Sequence, residues 1–194
     1  MSKGVATRER ILDRAVDLAA TVGLEGLSLS DLAKATKMSK SGLFAHFESK
    51  EGLLLGVLET AHAYFIDTVV SPALREPRGE PRVRALLERW LAWQQAREAG
   101  GCPFVAASNE LDDRPGRLRD ALVAVQLDWI ETLATAARIA VEEGHFRPEL
   151  DTRQLAYDMY GISLAFHFYH RLLRDPEAAG RATDAFERLL EASR

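Results

Sequence analysis

Between residues 27 and 54 the chain signals the start of a helix three times, which leaves room for short helices and none for a strand of ordinary length. Ser28 is followed three residues later by Asp31, a pattern in which a hydroxyl and a carboxylate satisfy the free N–H groups of a first helical turn. Ser39 is again a good N-cap, and Leu43 with Phe47 sets a new apolar face behind it. Ser49 repeats the signal ahead of a stripe made by Leu53, Leu54, Val57, Leu58, Ala61, Phe65 and Val69, which Pro72 and Pro77 end. Two short helices, joined by about three residues around Lys37 and Met38, therefore precede a long one.

The same reading extends to both sides. Upstream, Thr7 caps a helix carried by Ile11, Ala15, Leu18, Ala19 and Val22, and Gly23 stops it. Downstream, a fifth helix follows Pro81 with Leu86, Leu87, Trp90, Leu91 and Trp93, and Gly100-Gly101 closes it. Residues 103–111 form a short sixth helix and 112–116 a loop. Leu118, Leu122, Val125, Trp129, Leu133, Ala136 and Ala140 mark a long seventh helix that stops at Gly144. Asp151 with Gln154 caps an eighth helix, and Asp175 with Pro176 opens a ninth. No segment alternates with period two, so the chain is predicted to be all-α with about nine helices.

Composition narrows the function classes. With 13 Gly and 7 Pro among 194 residues and no repeat at a fixed period, disorder, fibres and solenoids fit poorly. The single Cys102 cannot form an internal disulfide, and five scattered histidines offer no zinc-type cluster, so no metal and no cofactor is expected. Residues 1–20 are broken by charges, and the most apolar run, 159–169, is about half the length needed to span a bilayer. A reducing cytoplasm and no membrane partner are predicted.

Charge is divided unevenly. All five lysines lie in residues 1–50, where eight Lys and Arg face six Asp and Glu, a net +2, while the remaining residues, seventeen against twenty-three, carry −6. A basic first quarter on an acidic chain is either a solvated surface or a small face for a polyanion. The helix pattern favours the second. Two short helices with a tight turn and a supporting longer helix are the layout of a helix-turn-helix, whose second helix enters the DNA major groove. Ser39, Lys40 and Ser41 stand at the N-terminal tip of that helix, with donors where base edges are met, while Leu43 and Phe47 face inward.

The stretch Met38-Ser39-Lys40-Ser41-Gly42-Leu43-Phe44-Ala45-His46-Phe47-Glu48-Ser49-Lys50-Glu51-Gly52-Leu53-Leu54 is similar to the pattern V-S-K-G-T-L-Y-x-H-F-x-S-K-E-x-L-L of the TetR family of bacterial transcriptional regulators, and Gly23-Leu24, Leu27-Ser28 and Asp31-Leu32-Ala33 match in place upstream. The resemblance implies that Lys40, Ser41 and Gly42 approach base edges and that Phe44, His46 and Lys50 flank phosphates, with Ser28 as cap and phosphate donor. Three residues depart from the pattern. Phe44 replaces tyrosine and brings no hydroxyl; Gly42 weakens the reading helix; Lys37 stands where glycine is common, so either a lysine adopts a left-handed backbone or the turn differs.

Beyond residue 55 the resemblance lies in helix layout alone. It implies a DNA-binding domain over 1–50 and a helical domain over 51–194 that binds a small-molecule effector and forms a homodimer. The nearly all-apolar eighth helix and the amphipathic ninth place that dimer contact in residues 151–194. A two-fold dimer calls for a palindromic operator in double-stranded DNA. Candidate effector contacts are Tyr64, Phe65, Trp90, Trp93, Phe104, Asn109, Trp129, Tyr160 and His167, aromatic groups with a few polar partners. Cys102, ahead of Pro103, is either a packed side chain or a redox-sensitive thiol. The expected function is a ligand-responsive repressor, not an enzyme, since no paired nucleophile and base, phosphate loop or metal-spaced cluster is visible. The alternative is a helical small-molecule-binding protein or enzyme that uses the interior without touching DNA.

Overall fold

The structure is a computed structural model and describes residues 3–96 and 101–194. All regular elements among them are helical: α1 Lys3–Gly26, α2 Leu29–Thr36, α3 Lys40–Phe44, α4 Lys50–Phe65, α5 Ser71–Ala73, α6 Glu80–Gln95, α7 Pro103–Leu111, α8 Arg117–Glu142, α9 Thr152–His167 and α10 Ala178–Ser193, with wider π turns at Ile66–Val70 and Phe168–Leu173. With α5 counted as the end of α4, these are the nine helical runs expected.

Three local rules differ from expectation in instructive ways. Gly23 bends α1 instead of ending it: its φ of 80° breaks the ladder, and one more turn follows to Gly26. An L side chain rarely adopts that φ, so the bend favours glycine, and the Glu110 carboxylate occupies the space where a Cβ would point. Pro72 does not end the fourth helix, because it sits in the first turn of α5, where a missing N–H removes no hydrogen bond, and the chain runs on to Ala73. Asp175 accepts from the Glu177 N–H at 2.9 Å and closes a turn, so α10 begins two residues later than the Asp-Pro signal suggests. The expected closure at Gly100-Gly101 falls in part on Gly100, outside the described residues; α6 itself ends at Gln95.

The chain divides into two compact units. The first, Met1–Tyr64 with Arg97–Val125, surrounds a mainly aliphatic core of Ile11, Leu12, Val16, Leu27, Leu32 and Leu43. Burying each such side chain contributes roughly 1.5–3 kcal/mol. The second, Phe65–Ala96 with Gln126–Arg194, is built on Trp90, Trp93, Trp129, Phe166 and Phe186. A clamp of charges ties its ends: Glu80 accepts from Arg84 at 3.0 Å and from Arg194 at 3.0 Å, and Arg84 also binds Glu187. The Arg194 hydrogen bond, chiefly, holds the Glu80 carboxyl below the usual carboxylate range. The run Lys50–Ala73 is long and apolar enough to cross a bilayer by length and composition, yet half of that stretch is buried inside the protein, as in a core helix.

Candidate nucleic-acid interface

Three serines set the geometry of this region. Ser28 Oγ accepts from the Asp31 N–H at 3.0 Å and opens α2. Its hydroxyl hydrogen is directed to Asp31 Oδ2 at 2.5 Å, so the capping residue is satisfied within the protein. Ser39 Oγ accepts from the Gly42 N–H at 3.1 Å and lies 3.1 Å from Ser41 Oγ, which fixes the start of α3. Ser49 Oγ accepts from the Gly52 N–H at 3.0 Å at the start of α4.

These caps leave a five-residue α3 that buries only Leu43. Ser39, Lys40, Ser41 and Phe44 are exposed together, Phe44 to 48%, and Gly42 and His46 are half-buried. Phe47 packs beneath, with the Arg8 guanidinium 5.2 Å from its ring centroid. Lys50, first residue of α4, is exposed and donates through Nζ to the Glu25 carbonyl at 3.4 Å. The structure therefore gathers Ser39, Lys40, Ser41, Gly42 and Phe44 on one short helix, with His46 in the turn after it, and sets Ser28 and Lys50 at two further helix starts.

Of the two alternatives left open at Lys37, the structure takes the left-handed backbone, with φ 55° and ψ 38°. The Lys37 N–H donates to the Lys34 carbonyl at 3.2 Å and the Met38 N–H to the Ala33 carbonyl at 3.0 Å, the paired closure of a Schellman turn.

Sequence spacing gave no sign of the residues that hold the Gly23 bend. The Glu25 N–H donates to Glu110 at 3.1 Å, and the Glu25 carboxylate pairs with Arg114 at 3.0 Å. Both partners lie in or after α7, more than eighty positions away, beyond the reach of any local pattern.

The residues named for an effector are divided between the units. Tyr64, whose hydroxyl donates to Asp13, the buried Phe104 and the exposed Asn109 belong to the first. The second gathers Phe65, Trp90, Trp93, Trp129 and Tyr160 into one chain of edge-to-face contacts: Phe65 meets Trp93 at 5.6 Å and Trp129 at 4.8 Å, and Trp90 meets Trp129 at 5.1 Å and Tyr160 at 5.2 Å. The half-buried His167 joins a polar row with the buried Gln94 and Ser163, which the sequence reading does not single out. Gln94 donates to Ser163 at 2.6 Å, and its amide oxygen lies 3.2 Å from His167 Nδ1. Burial, chiefly, pushes the His167 imidazolium below its ordinary range. A glutamine inside the apolar stripe of α6 was the one available signal. Trp129 Nε1 is buried without a hydrogen-bond partner among the described residues. Cys102 is buried at the start of α7.

Known proteins resemble both halves of the chain. A family model described as bacterial regulatory proteins, tetR family, matches residues 11–57, and one described as tetracyclin repressor-like, C-terminal domain, matches residues 79–186. The chain is 32% identical over 60 residues to the biofilm operon icaADBC HTH-type negative transcriptional regulator IcaR of Staphylococcus epidermidis, a match spanning 31% of this chain and 32% of that protein. A crystallised TetR transcriptional regulator from Chloroflexus aurantiacus superposes with a TM-score of 0.87 at 29% identity, covering 98% of this chain and 96% of that one. AibR, solved with isovaleryl coenzyme A and operator DNA, shares the fold with a TM-score of 0.71 at 24% identity over 92% of this chain and 97% of its own.

Proposed function

The chain belongs to the TetR family of bacterial regulatory proteins, and on that premise we propose that it is a cytoplasmic, homodimeric repressor that leaves a palindromic operator when a small effector binds. Residues 1–50 hold the DNA and residues 51–194 take the effector and make the dimer.

The observation that carries this reading is α3. A helix that buries Leu43 alone and presents Ser39, Lys40, Ser41 and Phe44 to solvent serves something outside the chain. Lys40 and Ser41 offer donors to base edges, and Gly42 lets the backbone come close. Phe44 contacts the sugar-phosphate wall by van der Waals packing only. His46 donates to a phosphate, as does Lys50 at a helix start that adds backbone N–H groups; Ser28 turns its hydroxyl from Asp31 to DNA.

For the effector, the aromatic chain in the second unit and the unpaired Trp129 N–H favour a flat, apolar molecule with a hydrogen-bond acceptor. That AibR has been solved with an acyl coenzyme A and operator DNA supports a regulator that responds to a small molecule in this fold. For the dimer, Tyr157 and Leu172 are 73% and 69% exposed, and Leu164, Phe168, Tyr169 and Leu173 are also solvent-facing. So large an apolar patch fits a second copy lying against residues 151–194. The effector favours a spacing of the two α3 helices that no longer fits the half-sites, so effector and DNA weaken each other reciprocally.

Selection from a random duplex library tests the reading. A two-fold symmetric motif is expected. On that duplex Lys40→Ala with Lys50→Ala should cut affinity at least about tenfold and flatten the salt dependence. Unchanged affinity and slope in the double variant would overturn it.

A further inference from the structure

Lys37 occupies a backbone conformation that costs a lysine and suits a glycine. Among the described residues only Lys37 and Arg174 are non-glycine with positive φ. Two hydrogen bonds lock the Lys37 turn, so it cannot relax toward an ordinary helix end. Glycine takes this conformation without steric conflict, and asparagine nearly so.

Inside the protein the Lys37 ammonium has only the weak attraction of the α2 C-terminal carbonyls to set against that strain. It is exposed, and among the described residues it has no ion pair and no side-chain hydrogen bond. Asp31, six residues back, lies 3.9 Å from Lys34, which leaves Lys37 and Lys40 as uncompensated charges on either side of the turn into α3. A strained residue whose charged group has no side-chain partner in the molecule points to a use outside it.

We propose that the Lys37 ammonium is a DNA-phosphate contact, additional to those implied by the family pattern and specific to a chain that carries lysine in this turn. The assignment rests on the DNA-binding reading above. A phosphate contact adds affinity and fixes register without reading sequence. It also releases counterions, so each one steepens the salt dependence of binding by about 0.9, or about 1.8 for two copies on a two-fold operator.

Three variants test it on the selected duplex across about 50 to 200 mM salt. Lys37→Asn keeps a left-handed turn and removes the charge; Lys37→Gly does the same by a different route and serves if the first folds poorly; Lys37→Arg keeps the charge. The expected result for Asn and Gly is a salt slope lower by about 1.8, affinity down roughly tenfold and an unchanged enriched motif, with Lys37→Arg retaining the slope. The melting temperature of Lys37→Asn should hold or rise by about 1–3 °C, since strain is relieved. A lysine with only a structural role would move the melting temperature and leave the slope alone. Normal binding with an unchanged slope in Lys37→Asn overturns the assignment by itself. Absence of duplex binding by the unsubstituted protein overturns the functional reading and this assignment with it.

Discussion

The region around α1–α3 and the aromatic unit place their polar groups on opposite sides of their cores. Around α1–α3 the described buried side chains are aliphatic apart from Phe47, and Lys34, Lys37, Ser39, Lys40 and Ser41 lie at the surface. In the second unit three tryptophans are buried next to Gln94 and Ser163, which are polar and have essentially no contact with water. A surface charge is solvated with or without a partner and costs little to remove. A buried donor or acceptor costs its desolvation whenever its partner is lost. Losing a polar group therefore costs the first region little stability, whereas in the second it strands a buried partner.

The sharpest break of that comparison comes from Leu43→Ala. Leu43 is fully buried, and truncation should cost about 2–5 kcal/mol, a large part of a typical domain's 5–15 kcal/mol. All three tryptophans, at 90, 93 and 129, lie in the second unit, so their fluorescence reports on that unit alone. Under urea, helix content should melt at lower denaturant in the variant while tryptophan fluorescence keeps its midpoint, and duplex binding should vanish. Equal movement of both midpoints would mean that the regions unfold as one and the contrast has no thermodynamic content.

Gln94→Leu comes next, at about 1–3 kcal/mol, because it strands the Ser163 hydroxyl and the His167 ring nitrogen. Adding Ser163→Ala should recover part of that loss, since removing both partners is cheaper than removing one. A double variant no better than the single would show that the row is not held by this hydrogen bond. Smaller again are the caps, about 1 kcal/mol each. Asp151→Ala should cost more than Ser39→Ala, because Asp151 carries charge and accepts from two N–H groups, both at 3.0 Å. If Ser39→Ala leaves the urea midpoint in place but weakens DNA binding, its hydroxyl is spent on DNA and not on α3.

Legibility follows the range of each interaction. The caps Ser28, Ser39, Ser49 and Asp151 bond to N–H groups two or three residues on, so the sequence displays them directly, and α7 lies at the expected 103–111. Exposure of Ser39, Lys40, Ser41 and Phe44 follows equally from the spacing of Leu43 and Phe47. The Gly23 bend depends on Glu110, 85 positions from its partner Glu25, and the buried polar row joins Gln94 to Ser163 across 69. No spacing rule spans such distances. Aromatic residue type gives neither burial nor company, so Tyr64 and Phe104 fall in one unit and Trp90 and Trp129 in the other.

The smallest expected effect is also the most selective for the second unit. His167 is pushed below its ordinary value first by burial, then by the charges of Arg171 and His170. The unfolded chain titrates near 6.5, so below that pH it binds a proton that the folded ring resists. Stability is therefore fully present above about 6.5 and declines as pH falls from there through the folded value. The tryptophan urea midpoint should drop between about pH 8 and pH 5, and His167→Gln should drop less. Four other histidines, at 46, 62, 145 and 170, are common to both proteins, so the informative quantity is the difference between the two curves. With Nδ1 engaged to Gln94, protonation keeps that hydrogen bond and adds a charge beside the aromatic chain, so the loss comes from burying charge. Parallel curves for the two proteins would mean that His167 titrates as if in water, and the contrast between the units would then rest on Gln94 and Ser163 alone.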